Sequence, residues 1–312
     1  MPLYLWDRVL MVESAHFKEE AEHVRVIIFG AAGQLGSELV STFEGAGQEV
    51  LSFDLDLDIT DFGRVMERIP DLRPDLLINA AADTDLDRAE LDPEPSLRVN
   101  FTGTQNLALA CQAAGCPMVF LSTDYVFDGT KGSAYNEFDL PNPQGVYAKC
   151  KFAAELYMTS LLEKYFIFRT AWLFGKAGDR NFIKSILRNA KSNGSLRVVV
   201  DEIGTPTYAA DLAEIIYRVC VSGKYGLYHA TNEGICSRFE FAQQILEIAG
   251  WDDISLKPIV AEELGLPCPR PANTALDNLN LRLQGFPPMR HYREPLREYV
   301  EWLLEKDDFD GH

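Results

Sequence analysis

Val24-Arg25-Val26-Ile27-Ile28-Phe29 runs straight into Gly30-Ala31-Ala32-Gly33-Gln34-Leu35-Gly36. A β-branched apolar run bounded by glycine reads as a buried strand, and Gln34 to Phe43 continues from it as a helix. The same unit recurs down the chain. Glu49 to Asp54, Leu76 to Asn79 and Met118 to Ser122 read as further strands with helical segments between them, and Phe166 to Thr170 returns as another. This alternation implies an α/β fold with a Rossmann-type, doubly wound parallel sheet.

Past Thr170 the pattern loosens, with Gly and Pro around Gly204-Thr205-Pro206 and from Pro267 to Pro271. The second half is therefore expected to complete the sheet and to build a smaller C-terminal substrate-binding lobe, closing on a helix from Leu296 to Leu304. Three parts follow: an N-terminal extension over 1–23, a core over 24–175, and the lobe, interleaved with the end of the sheet, over 176–312. No internal repeat or low-complexity tract interrupts them.

With 312 residues, 47% hydrophobic and 24% charged, the chain is long enough for a full α/β core. A formal charge of -18 and the lack of any Lys/Arg run argue against nucleic acid or an anionic membrane as a partner. The apolar patches Leu3-Tyr4-Leu5-Trp6 and Val9-Leu10-Met11-Val12 are interrupted by Asp7 and Arg8, so they make neither a signal peptide nor a membrane span. A short packing extension or an oligomer contact is the expectation there. Six scattered cysteines fit reduced thiols in a cytoplasmic protein, and five histidines without ligand spacing place no metal site.

Glycines at the strand-to-helix turn let the backbone approach phosphate oxygens, and a helix N-terminus offers free N–H groups and a favourable dipole. The spacing G-x-x-G-x-x-G departs from the G-x-G-x-x-G fingerprint, and a plain strand–helix turn remains the alternative. Asp54 ends the second strand, where a carboxylate accepts ribose hydroxyls and repels a 2′-phosphate. That tilts the cofactor towards NADH over NADPH, although a nearby arginine can bypass one carboxylate. Asp56 and Asp58 crowd the same stretch and read equally as a solvated acidic loop, while Asp58-Ile59 is placed to flank an adenine ring.

Tyr147 and Lys151 stand one helical turn apart on a helix from Tyr147 to Leu162, and so share a face. A phenol with a pKa of ~10 is a poor proton exchanger near neutrality, and an adjacent ammonium favours its phenolate. As an isolated pair they are ordinary helix-surface residues. Ser122 and Thr123 change that balance, because they close the fourth strand at the sheet edge where such folds bind ligands. A hydroxyl there can share a carbonyl oxygen with Tyr147. Asp124 and Tyr125 follow, able to contact substrate hydroxyls or simply to cap a turn. Trp172 reads as core, or as a flat face for a sugar or base.

These residues resemble the extended short-chain dehydrogenase/reductase superfamily and, within it, the dTDP-4-dehydrorhamnose reductase family, from about residue 24 to the late 290s. The glycine loop with Gln34-Leu35 carries the likeness, together with Asn79-Ala80-Ala81-Ala82-Asp83-Thr84, Asp87-Arg88-Ala89-Glu90 and Val99-Asn100. Ser122-Thr123-Asp124-Tyr125-Val126-Phe127-Asp128-Gly129 is its most specific stretch, joined by Arg169-Thr170-Ala171-Trp172, Asn181-Phe182, Gly204-Thr205-Pro206-Thr207 and Arg270-Pro271-Ala272-Asn273.

The resemblance implies NAD(P)H-dependent reduction of the C4 keto group of dTDP-4-dehydro-L-rhamnose, or of a close nucleotide 4-keto-6-deoxy sugar. Tyr147 would be the proton donor, Lys151 would hold the nicotinamide ribose, and Thr123 would complete the catalytic set. Asp124 and Trp172 match substrate positions, and Thr84 lies beside cofactor and sugar. Gly30, Gly33, Gln34, Leu35, Gly36, Asp54, Asp58, Ile59, Ala81, Ala82, Asn100 and Ser122, with Tyr147 and Lys151, form the cofactor side. A homodimer fits such a protein. Mg²⁺ is often described for the family, yet no ligand set here places one. Related dehydratases carry Asp-Glu after the threonine, so Tyr125 in place of that Glu points to plain reduction. Tyr147-Ala148 stands for the usual Tyr-Gly, and Asp83 for a frequent His or Tyr. A non-catalytic NAD(P)-binding subunit, resembling the regulatory β-subunit of methionine adenosyltransferase, is the alternative.

Overall fold

A computed structural model of the chain describes residues 24–307; the apolar patches of the N-terminal stretch lie outside the described residues. Strand β1 (Arg25–Phe29) leads into helix α1 (Gln34–Gly45), followed by β2 (Glu49–Phe53), β3 (Leu76–Asn79), β4 (Met118–Thr123) and β5 (Tyr165–Thr170). A sixth strand, Gly226–His229, completes the sheet. The order across it is β2, β1, β3, β4, β5 and Gly226–His229, with every neighbouring pair parallel. The chain thus reverses direction across the sheet between β1 and β3, and such a point opens a crevice at the strands' carboxyl ends.

β1 explains why both faces of the sheet are covered. Val26 and Ile28 point into one apolar cluster, shared with Leu35, Leu39 and Phe43 of α1 and with Leu212 and Ile216 of the Ala209–Val221 helix. Ile27 and Phe29 point the other way, into a cluster with Val65, Leu107, Phe120 and Met158. Period-two alternation carries one strand's side chains into two cores. A third cluster around Phe174, Ile183, Phe241, Leu296 and Tyr299 belongs to the second half of the chain. Its strands are short pairs, and its helices include Phe182–Asn193, Arg238–Ala249 and Arg293–Lys306.

Two helices differ from their expected form. The segment expected as one helix from Pro95 to Ala114 holds a π-helical stretch, Leu97–Gly103, ahead of Thr104–Ala114. That wider turn carries Asn100, whose side chain accepts from the Asp83 amide at 3.1 Å and donates to the Asp83 carbonyl at 2.8 Å. The final helix is longer than expected, Arg293–Lys306. Pro295 lies in its first turn, where no backbone donor is needed.

Candidate active site

Two glycines of the first loop are there because nothing larger fits. Gly30 has φ +74° and lies against the backbone of Ala80 and Ala81 at the end of β3. A Cβ on Gly36 would fall 1.9 Å from the Gly30 carbonyl oxygen, so α1 can meet the loop this closely only without one. Gly33 caps α1 with no side-chain hydrogen bond, and the first turn carries no acidic residue. The N–H groups opening α1 therefore face a site with no competing carboxylate of their own, which suits an anionic phosphate.

Around this loop the expected residues do different work. Asp54 leaves the end of β2 exposed, and its carboxylate accepts from the Ala32 amide at 2.8 Å, beside the glycines. Asp58 accepts from the Thr60 amide at 2.8 Å. Ile59 is turned inward under Gly103 at 5% exposure, and its carbonyl accepts from Asn106 at 2.9 Å in the interior. Leu35 is core. The Gln34 side chain reaches across to the second half of the chain, accepting from Asn181 at 3.1 Å and donating to the Arg180 carbonyl at 3.3 Å. Asn100 holds the loop that bears Ala81, Ala82 and Thr84 in place.

The helix Val146–Leu161 begins at the carboxyl end of β4. Its first amide, Val146, donates to the Glu90 carboxylate at 2.6 Å, an anion suitably placed at a helix N-terminus. Tyr147, Lys151 and Glu155 follow at four-residue steps along one face. Tyr147 lies near Thr123, whose hydroxyl is among the groups that favour its phenolate. Lys151 is 2% exposed, with Nζ 4.1 Å from the centre of the Phe120 ring. Burial lowers its pKa to about 7, against the attraction of Glu155.

The expected depression of the Tyr147 phenol by Lys151 is not what the structure contains. Burial pushes the phenol well above its ordinary value, the Asp124 charge adds to this, and the Thr123 hydroxyl opposes it. The physical reason is that the ammonium lies over Phe120 while the phenol is surrounded by desolvating side chains. Tyr147 is thereby held in its neutral, proton-donating form.

Ser122 also needs correcting. Its hydroxyl donates to Glu155, which pairs with Arg169 through Nε at 3.0 Å and Nη2 at 2.7 Å, all three being buried. The Ser122 hydroxyl is thus committed to Glu155, about two turns further along the helix than Tyr147, which leaves Thr123 as the hydroxyl near the phenol. Thr123 has that place, accepting from the Tyr125 amide at 3.2 Å and lying 3.1 Å from Asp124 Oδ1.

Asp124 is 4% exposed, and its second oxygen accepts from Thr274 at 2.5 Å. Burial raises its pKa to about 6, with Thr274, Thr123 and Arg238 opposing. Trp172 has φ +47°, and its ring packs on Gly204 and carries the Arg238 guanidinium 3.6 Å from its centre. Its flat face is thus taken by a cation. Asp83 pairs with Arg88.

Arg238, Glu202 and Thr274 were not anticipated here, and Glu90 and Arg270 were quoted in motifs without a role. Arg270 donates to Asp87 at 2.9 Å, and its buried Nη1 has no partner. Arg238 lies 3.7 Å from Glu202. These two guanidiniums place positive charge beside a cleft lined by Leu86, Tyr125, Gly145, Tyr147 and Pro271, on a chain that is otherwise strongly acidic. No group of three His, Cys, Asp or Glu able to hold a metal occurs among the described residues. No helix among them is long and apolar enough to cross a membrane, and all six cysteines are free.

Comparison with known proteins agrees with this geometry. The chain is similar to the dTDP-4-dehydrorhamnose reductase of Mycobacterium tuberculosis, 38% identical over 278 residues, covering 87% of this chain and 91% of that one. Among solved structures, a dTDP-4-dehydrorhamnose reductase of Clostridium acetobutylicum superposes with a TM-score of 0.87 at 38% identity, covering 90% of this chain and 99% of the other. The enzyme of that name from Bacillus anthracis, solved in complex with NADP, gives 0.86 at 39% identity over 89% and 99%. The profile described as "RmlD substrate binding domain" matches residues 24–304, so the chain belongs to that family.

Proposed function

We propose that this protein is an NAD(P)H-dependent reductase of the C4 keto group of dTDP-4-dehydro-L-rhamnose or a close nucleotide 4-keto-6-deoxy sugar. The observation that supports the reading is that Thr123 ends β4 and Tyr147 and Lys151 share a face of the Val146–Leu161 helix, in the same sheet as the glycine loop and in a chain whose relatives bear the name of that reductase. Reduced nicotinamide, when bound, supplies the hydride. Tyr147, kept neutral by burial, gives its proton to the C4 oxygen, and the Thr123 hydroxyl supports the phenolate left behind. Lys151 would hold the nicotinamide ribose. Arg238 and Arg270 supply local positive charge for a diphosphate. On this reading residues 24–175 hold the cofactor and residues 176–312 close over the sugar nucleotide.

The test is a panel of nucleotide keto-sugars incubated with the purified protein and either NADH or NADPH, followed at the absorbance of the reduced cofactor. Oxidation with the dTDP-linked 4-keto sugar is expected, and no turnover with any member of the panel would sink the reading. Asp54 supports a preference for NADH, since a carboxylate following the second strand beside the glycine loop repels a 2′-phosphate. Asp54→Asn keeps an acceptor for the Ala32 amide and removes the charge. It is expected to raise the NADPH-to-NADH ratio of kcat/KM about tenfold, or ~1.4 kcal/mol. An unchanged ratio would mean that Asp54 does not set the choice.

A further inference from the structure

We infer that Asp87 and Glu90, on the short Leu86–Leu91 helix, form a clasp that ties a segment of the second half of the chain to the start of the Tyr147 helix and so positions both walls of the cleft in front of Tyr147. The inference rests on the reductase reading above.

Residues three apart on a helix lie on one face. Asp87 spends both carboxylate oxygens on one distant segment, Oδ1 accepting from the Cys268 amide at 3.1 Å and Oδ2 from Arg270 Nη2 at 2.9 Å. Gripping an amide and a guanidinium of the same three-residue run fixes that run's orientation as well as its place. These bonds span 181 and 183 residues, so they exist only with the second half of the chain docked. Glu90 turns to the other side, where its Oε1 accepts from the amide of Val146, the residue before Tyr147, at 2.6 Å.

The two grips converge at Gly145. A Cβ there would stand 2.9 Å from Glu90 Oε1 and 3.0 Å from Cys268 Sγ, so glycine lets the helix start, the carboxylate and the distant segment meet. The cleft is lined by Cys268, Pro269 and Pro271 from that segment, by Gly145 and Tyr147 from the helix start, and by Leu86 of the clasp helix itself. Both carboxylates are positioning residues, and they act on different steps. Asp87 places a wall that meets the sugar nucleotide, whereas Glu90 places the helix that carries the proton donor.

The experiment is steady-state kinetics of Asp87→Ala, Asp87→Asn, Glu90→Ala and Glu90→Gln with the dTDP-linked 4-keto sugar, alongside reduced-cofactor affinity and thermal melting. Small misplacements remote from the chemistry carry large rate penalties, so Asp87→Ala is expected to raise KM about tenfold at nearly constant kcat, and Glu90→Ala to lower kcat about tenfold at nearly constant KM. Glu90→Gln keeps an acceptor for the Val146 amide and should restore most of kcat. Asp87→Asn, with one acceptor oxygen for two donors, should fall between wild type and Asp87→Ala. Cofactor affinity should not move. A merely structural role would lower the melting temperature without splitting KM from kcat, and that result, or no rescue by Glu90→Gln, overturns the inference. Amide hydrogen exchange without substrate reads the clasp independently of turnover. Exchange should quicken around Cys268 in Asp87→Ala and around Val146 in Glu90→Ala, and unchanged exchange at both places also overturns the inference. Quickened exchange in a protein that turns over no keto-sugar supports the clasp and locates the failure in the substrate assignment.

Discussion

Tyr147→Phe is expected to lower kcat by about 10²- to 10⁴-fold, the range that a positioned general acid contributes. The substitution removes one oxygen and keeps the ring, so the packing at the start of the Val146–Leu161 helix is undisturbed. Tyr147 lies with Thr123 at the end of β4, and its raised pKa keeps the proton on it until the C4 oxygen becomes basic. Without it the oxygen must draw its proton from water, while the groups that hold the cofactor, the glycine loop and Lys151, remain. Cofactor affinity, measured by quenching of the reduced nicotinamide fluorescence, should therefore change little. Should the variant keep more than about a tenth of wild-type kcat, Tyr147 is not the acid in the sense of general catalysis.

The largest expected loss of stability lies just behind the site. Glu155→Ala leaves the Arg169 guanidinium buried, at 4% side-chain exposure, without its carboxylate. Breaking a buried ion pair from one side costs about 3–5 kcal/mol, because the surviving charge stays desolvated. Here the consequence spreads, since Glu155 belongs to the catalytic helix, Ser122 to β4 and Arg169 to β5, and β5 pairs in turn with the Gly226–His229 strand. Urea unfolding reads the difference. Replacing both partners with methionine should recover much of the loss, as the penalty comes from the unpaired charge and not from the missing attraction. A single variant that loses less than about 1 kcal/mol would show that water or another anion reaches Arg169.

The core of the fold was legible because it is built locally. The Arg25–Phe29 strand, its glycines and α1 are contiguous, and each of β1 to β5 appeared within a residue or so of its expected bounds. The shared face of Tyr147 and Lys151 was legible for the same reason, as four residues of helix put them one turn apart. Departures arise where a residue's partner is distant. The π-helical stretch at Asn100 exists to meet the Asp83 backbone, and no spacing within Pro95 to Ala114 encodes that contact. Ser122 and Thr123 are equivalent hydroxyls on paper. Only the packing of Glu155 and Arg169 on one side of β4 separates a structural hydroxyl from a catalytic one.

Glu90 and Arg270 stood in quoted motifs without a role, and Arg238 and Thr274 were passed over, because what each does depends on a partner far along the chain that no local spacing marks. Trp172 was noticed, but its ring is covered by Arg238, some 66 residues further along the chain. By itself, then, the sequence determined the parallel α/β sheet, the glycine loop and the Tyr147/Lys151 pair, since strand alternation and helical spacing act over a few residues. The tertiary structure alone decided which hydroxyl serves Tyr147, where positive charge stands in an acidic chain, and that Asp124 accepts from Thr274. Burial and hydrogen-bond partners are set by whatever the fold brings alongside, and for these groups that is chain from far away.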